Sequence, residues 1–232
     1  MKRRQRKRQR RPIRLRDEIT DLPNLLTFAR ILTLPAVLIF IDNYSRVSSL
    51  ISALIFIAGG ITDIIDGYLA RRRGQESVLG AFLDPLADKL FVLGTLIYMV
   101  AHGRVEEWLV VILMSRELAI TVLRSLAASY GLIIAAQRGG KAKTAFQTVG
   151  IVFLLVHFPY RIIGFDWVLD FHLIGTWLLY LSLVMSIWSA GEYIRFFVQA
   201  VEERERRRAV REAAQLVVEQ NPPPEPAPPG AA

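Results

Sequence analysis

Apolar residues along this chain fall into blocks rather than into the three-to-four-residue stripe of a surface helix or the alternation of a half-buried strand. Six blocks stand out, at roughly 24–42, 47–70, 82–101, 106–130, 144–160 and 171–198. Their lengths bracket the ~20 residues that a helix needs to cross the hydrocarbon of a bilayer. The last reads FHLIGTWLLYLSLVMSIWSAGEYIRFF, with hardly a polar interruption. The pattern predicts an all-α, polytopic membrane protein of about six transmembrane helices. The second, third and fourth blocks also carry charged residues, which lipid-facing positions tolerate only at considerable cost. Those charges are expected to face a polar interior or the interface, and they mark where function is to be sought.

Composition agrees with insertion. Hydrophobic residues make up 53% of the 232 residues and the mean hydropathy is +0.34, both high for a water-soluble globule. The chain has no cysteine, so disulfides, thiolate metal sites and a cysteine nucleophile are excluded. No secretory signal is expected at the start. The basic residues there run into Asp17 and Glu18, and the apolar block that follows is too long and lacks a small-residue cleavage site.

The net charge of +8 is concentrated, with ten of the first sixteen residues Lys or Arg. Such an arm suits the anionic lipid surface of the cytoplasmic leaflet, and nucleic acid is not expected as a partner. Arg71, Arg72, Arg73, Arg138, Lys141, Lys143 and the Arg204–Arg211 cluster fall on the same side of the predicted spans, while the opposite loops hold Arg46, Arg104 and Arg161. This asymmetry predicts six spans with both termini cytoplasmic. Three regions follow: a basic arm over 1–20, a transmembrane domain over 21–200, and over 201–232 a charged helical extension ending in a disordered Pro-rich tail.

The segment ITDIIDGYLARRRGQESVLGAFLDPLADKL, residues 61–90, concentrates the costly charge. On a helix, Asp63 and Asp66 lie three residues apart and Asp84 and Asp88 four apart, so each pair shares a face. Four carboxylates converging at membrane depth repel one another and lose hydration unless a cation stands among them. Oxygen donors without His or Cys favour Mg²⁺ or Mn²⁺ over Zn²⁺, and a pair of such ions ~4 Å apart is a recurrent device of phosphoryl chemistry. Gly67, Ala70 and Gly80 leave room for close approach, and Arg71 offers a guanidinium to phosphate oxygens. A competing reading pairs the acids with Arg71–Arg73 and Lys89 as ordinary juxtamembrane charge.

The order Asp63-x-x-Asp66-Gly67-x-x-Ala70-Arg71, eight residues, Gly80-x-x-x-Asp84-x-x-x-Asp88 resembles the full signature of the CDP-alcohol phosphatidyltransferase family, with every position matched. The six-block layout extends the resemblance over about residues 20–200. It implies a six-helix membrane fold, usually a homodimer, with a polar cavity open to the cytoplasm in the inner membrane. By resemblance, Asp63, Asp66 and Asp84 ligate metal, and Asp88 completes a second metal site and is the general base. Asp66, Gly67, Ala70, Arg71 and Gly80 would hold the CDP portion of CDP-diacylglycerol, and CMP would leave. The histidines, His102, His157 and His172, are expected to be interfacial side chains rather than catalysts.

Two further segments bear on the acceptor. In LPNLLTFARILTLP, Asn24, Thr27 and Arg30 recur every three residues, and by resemblance Asn24 and Thr27 touch the nucleotide. In Ser115-Arg116-Glu117-Leu118, an arginine deep in a span needs a partner that Glu117 alone need not supply, and a phosphate would serve. Lys141 and Lys143, near a helix start, add a second anion site, with Arg124 a weaker candidate. These segments resemble the branch of the family whose acceptor is sn-glycerol 3-phosphate. Topology alone is a competing explanation of the two lysines. The rival activities are transfer to inositol phosphate and, from another class, an ion transporter built on the buried acids.

Overall fold

The computed structural model describes residues 22–73, 78–132, 139–161 and 168–220. It omits the side chains at 22–26, 63–73, 78–82, 84, 139–141 and 217–220. The basic arm and the Pro-rich end lie outside the described residues. Among those described, six helices follow in order: α1 (Leu22–Asp42), α2 (Arg46–Arg73), α3 (Val78–Ala101), α4 (Glu107–Ser129), α5 (Gly139–Val156) and α6 (Phe171–Gln220). Between α5 and α6 sits an antiparallel hairpin of β1 (Pro159–Arg161) and β2 (Val168–Asp170), with Tyr160 opposite Leu169. The hydropathy pattern did not foretell this hairpin, because three-residue strands are too short for a period to register.

Helix ends are set by local chemistry. Ser45 Oγ accepts the Ser48 backbone N–H at 3.1 Å, satisfying a free donor in the first turn of α2. Gly103 (φ +65°) and Gly131 (φ +68°) end α3 and α4 in left-handed conformation. At the first, Gly103 N–H donates to Val100 O and Arg104 N–H to Met99 O. At the second, Gly131 N–H donates to Ala128 O and Leu132 N–H to Ala127 O, all at 2.9 Å. Both positions need glycine because a Cβ is strained at that φ. Pro35 in α1 and Pro85 in α3 stand inside their helices, each removing one backbone donor.

The core is apolar, with Val37, Ile41, Phe56, Phe91, Leu96 and Leu155 among its buried residues; Phe56 and Phe91 stack at 4.9 Å. Small polar residues are buried between the helices: Ser52 Oγ donates to Val37 O at 3.0 Å and Thr95 Oγ1 to Phe91 O at 2.8 Å, so neither hydroxyl is left unpaired. Gly150 and Gly175 let α5 and α6 touch through backbone. A Cβ on Gly175 would stand 2.9 Å from Gly150 O and 2.8 Å from Leu154 Cγ.

The outside of the bundle also carries many large apolar side chains. Leu32 is 75% exposed, Trp188 74%, Val122 67% and Trp177 66%, on outer faces of α1, α4 and α6 that water would not favour. Among the described residues one helix, α6, is long and apolar enough by length and composition to cross a membrane (Phe171–Leu216). The apolar helical portions Arg46–Thr62 and Ala142–Val156 are shorter. The charged stretch beyond 200 continues α6 without a break to Gln220, braced by Arg207–Glu203 (2.7 Å) and Arg208–Glu212 (2.8 Å) pairs.

At the end of the bundle away from Asp88, Arg104 is 1% exposed in the α3–α4 connection. Its Nη1 donates to Leu155 O at 2.9 Å; its Nη2 donates to Ser49 Oγ at 3.1 Å and to Ile41 O at 3.4 Å. One guanidinium thus bonds carbonyls at the C-terminal ends of both α1 and α5; that of Ile41 also accepts the Tyr44 N–H at 3.3 Å. All three histidines gather at this end. His102 Nε2 lies 3.0 Å from Asp42 Oδ1, and the rings of His157 and His172 meet edge to face at 4.9 Å.

Candidate active site

Asp63, Asp66, Gly67, Ala70 and Arg71 lie on α2, and Gly80, Asp84 and Asp88 on α3, with residues 74–77 linking the two helices. Both segments are helical, so the three- and four-residue spacings each correspond to about one helical turn. The side chains at 63–71, 80 and 84 are outside the described residues, as is that of Asn24 in the first turn of α1. Thr27 is described and buried, 2% exposed, one turn from Asn24. Asp88 is the member of the acidic quartet whose side chain is described, and it is exposed to a cavity.

That cavity, about 130 Å³, opens between α3, α4 and α5 and is lined by Asp88, Lys89, Glu117, Lys143, Thr144 and Gln147 with apolar neighbours. It joins a carboxylate of the signature to one of the two lysines expected to meet the acceptor. Lys143 is 6% exposed and donates through Nζ to Glu117 Oε2. Arg116 Nη1 donates to the same oxygen at 3.1 Å, while its Nε donates to the backbone carbonyl of Ser186 on α6 at 2.8 Å. Arg116 is therefore partnered twice and is connected to the cavity through Glu117. The Lys141 side chain is outside the described residues. Arg124 stands over the Tyr193 ring at 5.9 Å, turned to α6.

Around this pair a network ties four helices. Lys89 Nζ donates to Thr121 Oγ1 at 2.6 Å, and Thr121 Oγ1 donates to Glu117 O at 2.8 Å. Ser182 Oγ donates to Lys143 O at 3.1 Å. Four of these contacts escaped the sequence reading: Thr121 as the partner of Lys89, the Ser186 carbonyl as the partner of Arg116, Ser182 as the donor to Lys143 O, and Glu117 as the oxygen shared by two cations. For Glu117 the signal was present, a carboxylate beside an arginine within an apolar block. For the other three, tertiary contact alone supplies the partner.

The cavity thus brings two carboxylates, Asp88 and Glu117, together with two ammonium groups, Lys89 and Lys143. Buried Lys and Arg groups bind phosphate oxygens strongly because little water competes. Asp88 lines the same cavity as Lys143. A larger cavity of about 440 Å³ lies at the opposite end, by Arg104, Glu106 and Tyr180. Size does not decide between them: the signature acid lines the smaller one.

The family model described as CDP-alcohol phosphatidyltransferase matches residues 20–188. The chain belongs to this family. A CDP-diacylglycerol–glycerol-3-phosphate 3-phosphatidyltransferase of Bacillus subtilis (strain 168) is 35% identical over 181 residues, covering 72% of this chain and 92% of that protein. One of the same description from Haemophilus influenzae is 33% identical over 180 residues, 75% of this chain and 92% of that protein. A probable phosphatidylglycerophosphate synthase of Mycobacterium tuberculosis is 37% identical over 139 residues, 59% of this chain and 66% of that protein. As a CDP-alcohol phosphatidyltransferase, the chain carries its signature on α2 and α3. The match ends at residue 188, within α6 and before the charged continuation.

Proposed function

We propose that this chain is an integral membrane enzyme that transfers the phosphatidyl group of CDP-diacylglycerol to sn-glycerol 3-phosphate, releasing CMP and forming phosphatidylglycerol phosphate. The observation that carries the acceptor is the cavity in which Asp88 and Lys143 face one space, with Arg116 joined to it through Glu117. A phosphorylated alcohol needs cations for its phosphate and a base for its hydroxyl, and this space offers both. Relatives described as glycerol-3-phosphate 3-phosphatidyltransferases align with most of the chain.

In the proposed reaction, the acceptor hydroxyl gives its proton to Asp88 as its oxygen attacks the lipid-bearing phosphorus. A new P–O bond forms, the bond from that phosphorus to the CMP oxygen breaks, and CMP leaves with the electron pair. Arg116 and Lys143, with Lys141, hold the acceptor phosphate and aim the hydroxyl. Asn24, Thr27, Asp66, Gly67, Ala70, Arg71 and Gly80 hold the CDP portion. Asp63, Asp66 and Asp84, with Asp88 at a second site, are the oxygen donors for Mg²⁺ or Mn²⁺, and the helical spacing of the two pairs fits hard-cation ligation. Two such ions, when bound, would neutralise charge on the diphosphate.

The membrane reading extends to all six helices, with both termini and Asp88 on the cytoplasmic side and the protein a homodimer. The exposed apolar faces of α1, α2, α4 and α6 support insertion, and the asymmetry of Lys and Arg supports the orientation. The test is CMP release from CDP-diacylglycerol by the purified protein with each acceptor in turn. Release with glycerol 3-phosphate is expected; release with inositol phosphate but not glycerol 3-phosphate would refute the acceptor.

A further inference from the structure

Glu117 occupies a position that the proposed reaction does not use. It is a carboxylate on α4 whose side chain is 35% exposed at the cavity, while its two cationic partners are nearly shut away, Arg116 at 12% and Lys143 at 8%. Both donate to the same atom, Oε2. The two partners are not equally anchored. Arg116 is also held by the Ser186 carbonyl. For the Lys143 ammonium, Glu117 is the partner the structure shows, and lysine carries a flexible four-carbon stem that takes many directions when unpaired.

An unpaired ammonium inside an apolar bundle is costly and either turns away or gives up its proton. Removing the carboxylate would therefore leave Lys143 free to turn out of the cavity, or neutral within it. The Glu117 backbone carbonyl accepts from Thr121 Oγ1, which in turn accepts from Lys89 beside Asp88, so the carboxylate is carried on a helix turn tied to the end of the proposed base.

We propose that Glu117 is a positioning residue: it holds the Lys143 ammonium, and with it Arg116, charged and directed at the cavity where the acceptor's phosphate is received. The acceptor phosphate takes over donors that are already in place, so that little side-chain ordering remains to be done on binding. This rests on the reading of that cavity as the site of a phosphorylated acceptor. It predicts that Glu117 acts on the acceptor and not on the nucleotide lipid or on the chemical step.

The experiment is steady-state CMP release by the full-length protein in detergent, varying glycerol 3-phosphate and CDP-diacylglycerol separately, for wild type, E117Q and E117D. E117Q keeps the shape and loses the charge. Its KM for glycerol 3-phosphate should rise about tenfold or more, with kcat and the KM for CDP-diacylglycerol within about twofold of wild type. E117D restores the charge on a shorter arm and should recover part of the loss. An unchanged acceptor KM, or an equal fall in kcat with both KM values unmoved, would overturn the proposal. A lower acceptor KM in E117Q would overturn it too, by showing that the carboxylate competes with the phosphate. If E117Q fails to accumulate as folded protein, the E117D comparison carries the same test: its acceptor KM should rise selectively, and no selective rise sinks the idea. Failure of the underlying reading looks different, because wild type itself would then release no CMP with glycerol 3-phosphate.

Discussion

At the scale of single residues, Asp88 and Lys143 divide the labour of the proposed site between base and anchor. D88N keeps size and loses basicity, and should reduce CMP release by about a hundredfold or more, the usual weight of a positioned base. K143A should instead raise the KM for glycerol 3-phosphate about tenfold, more than it lowers kcat. Selective loss in kcat for K143A would remove it from the acceptor site. D66N should abolish transfer and weaken Mn²⁺ binding measured by calorimetry; full activity in D66N would refute the ligand role.

The helical setting of the acids was legible in the sequence: the three- and four-residue spacings fall on α2 and α3. The side chains of Asp63, Asp66 and Asp84 lie outside the described residues. Arg116 was legible as a charge too deep to be idle, but its partner was not. The Ser186 carbonyl lies 70 positions along the chain, and nothing local marks a backbone oxygen as an acceptor for an arginine. Arg104 was read as one of a few positive charges in the outer loops, whereas it is buried as a clamp on two helix ends. Charge counting along a chain sees sidedness; it does not see which charge folds inward.

At the scale of elements, two contacts join helices at the end of the bundle away from Asp88. R104A leaves the Leu155 carbonyl without its donor, removes one of two donors to the Ile41 carbonyl, and opens a space in the core. It should destabilise the protein by roughly 2–4 kcal/mol, read as a lower unfolding midpoint in detergent. The α5–α6 crossing is similarly intolerant. G175L would place a side chain where Gly150 O and Leu154 stand, at 2.9 and 2.8 Å from the first atom added, and should lower the midpoint or prevent accumulation. Retained stability in G175L would mean that α6 shifts freely against α5, which the close backbone approach argues against. The helices themselves were readable from apolar block length. Their ends were less so: α6 runs on to Gln220 because strong helix formers and i,i+4 ion pairs continue it past the last apolar residue.

At the scale of the whole molecule, the bundle carries exposed apolar side chains on α1, α2, α4 and α6 and a polar cavity between α3, α4 and α5. The chain has no cysteine, so single-cysteine variants report sidedness without background. A cysteine at Ser45, in the α1–α2 turn, should react with an impermeant maleimide from outside intact cells. One at Gln215, on the charged continuation of α6, should react only after the membrane is opened. The reverse pattern would invert the topology. Removing residues 1–16 should leave specific activity largely intact, since the basic arm precedes the region that matches the family.

The most direct test is the purified full-length protein with CDP-diacylglycerol, Mg²⁺ or Mn²⁺, and one acceptor at a time, following CMP and the lipid product. CMP and phosphatidylglycerol phosphate should appear together with sn-glycerol 3-phosphate, and chelation of the metal should stop both. CMP formation with inositol phosphate in place of glycerol 3-phosphate, or ion flux through reconstituted vesicles without CMP from any acceptor, would contradict the account.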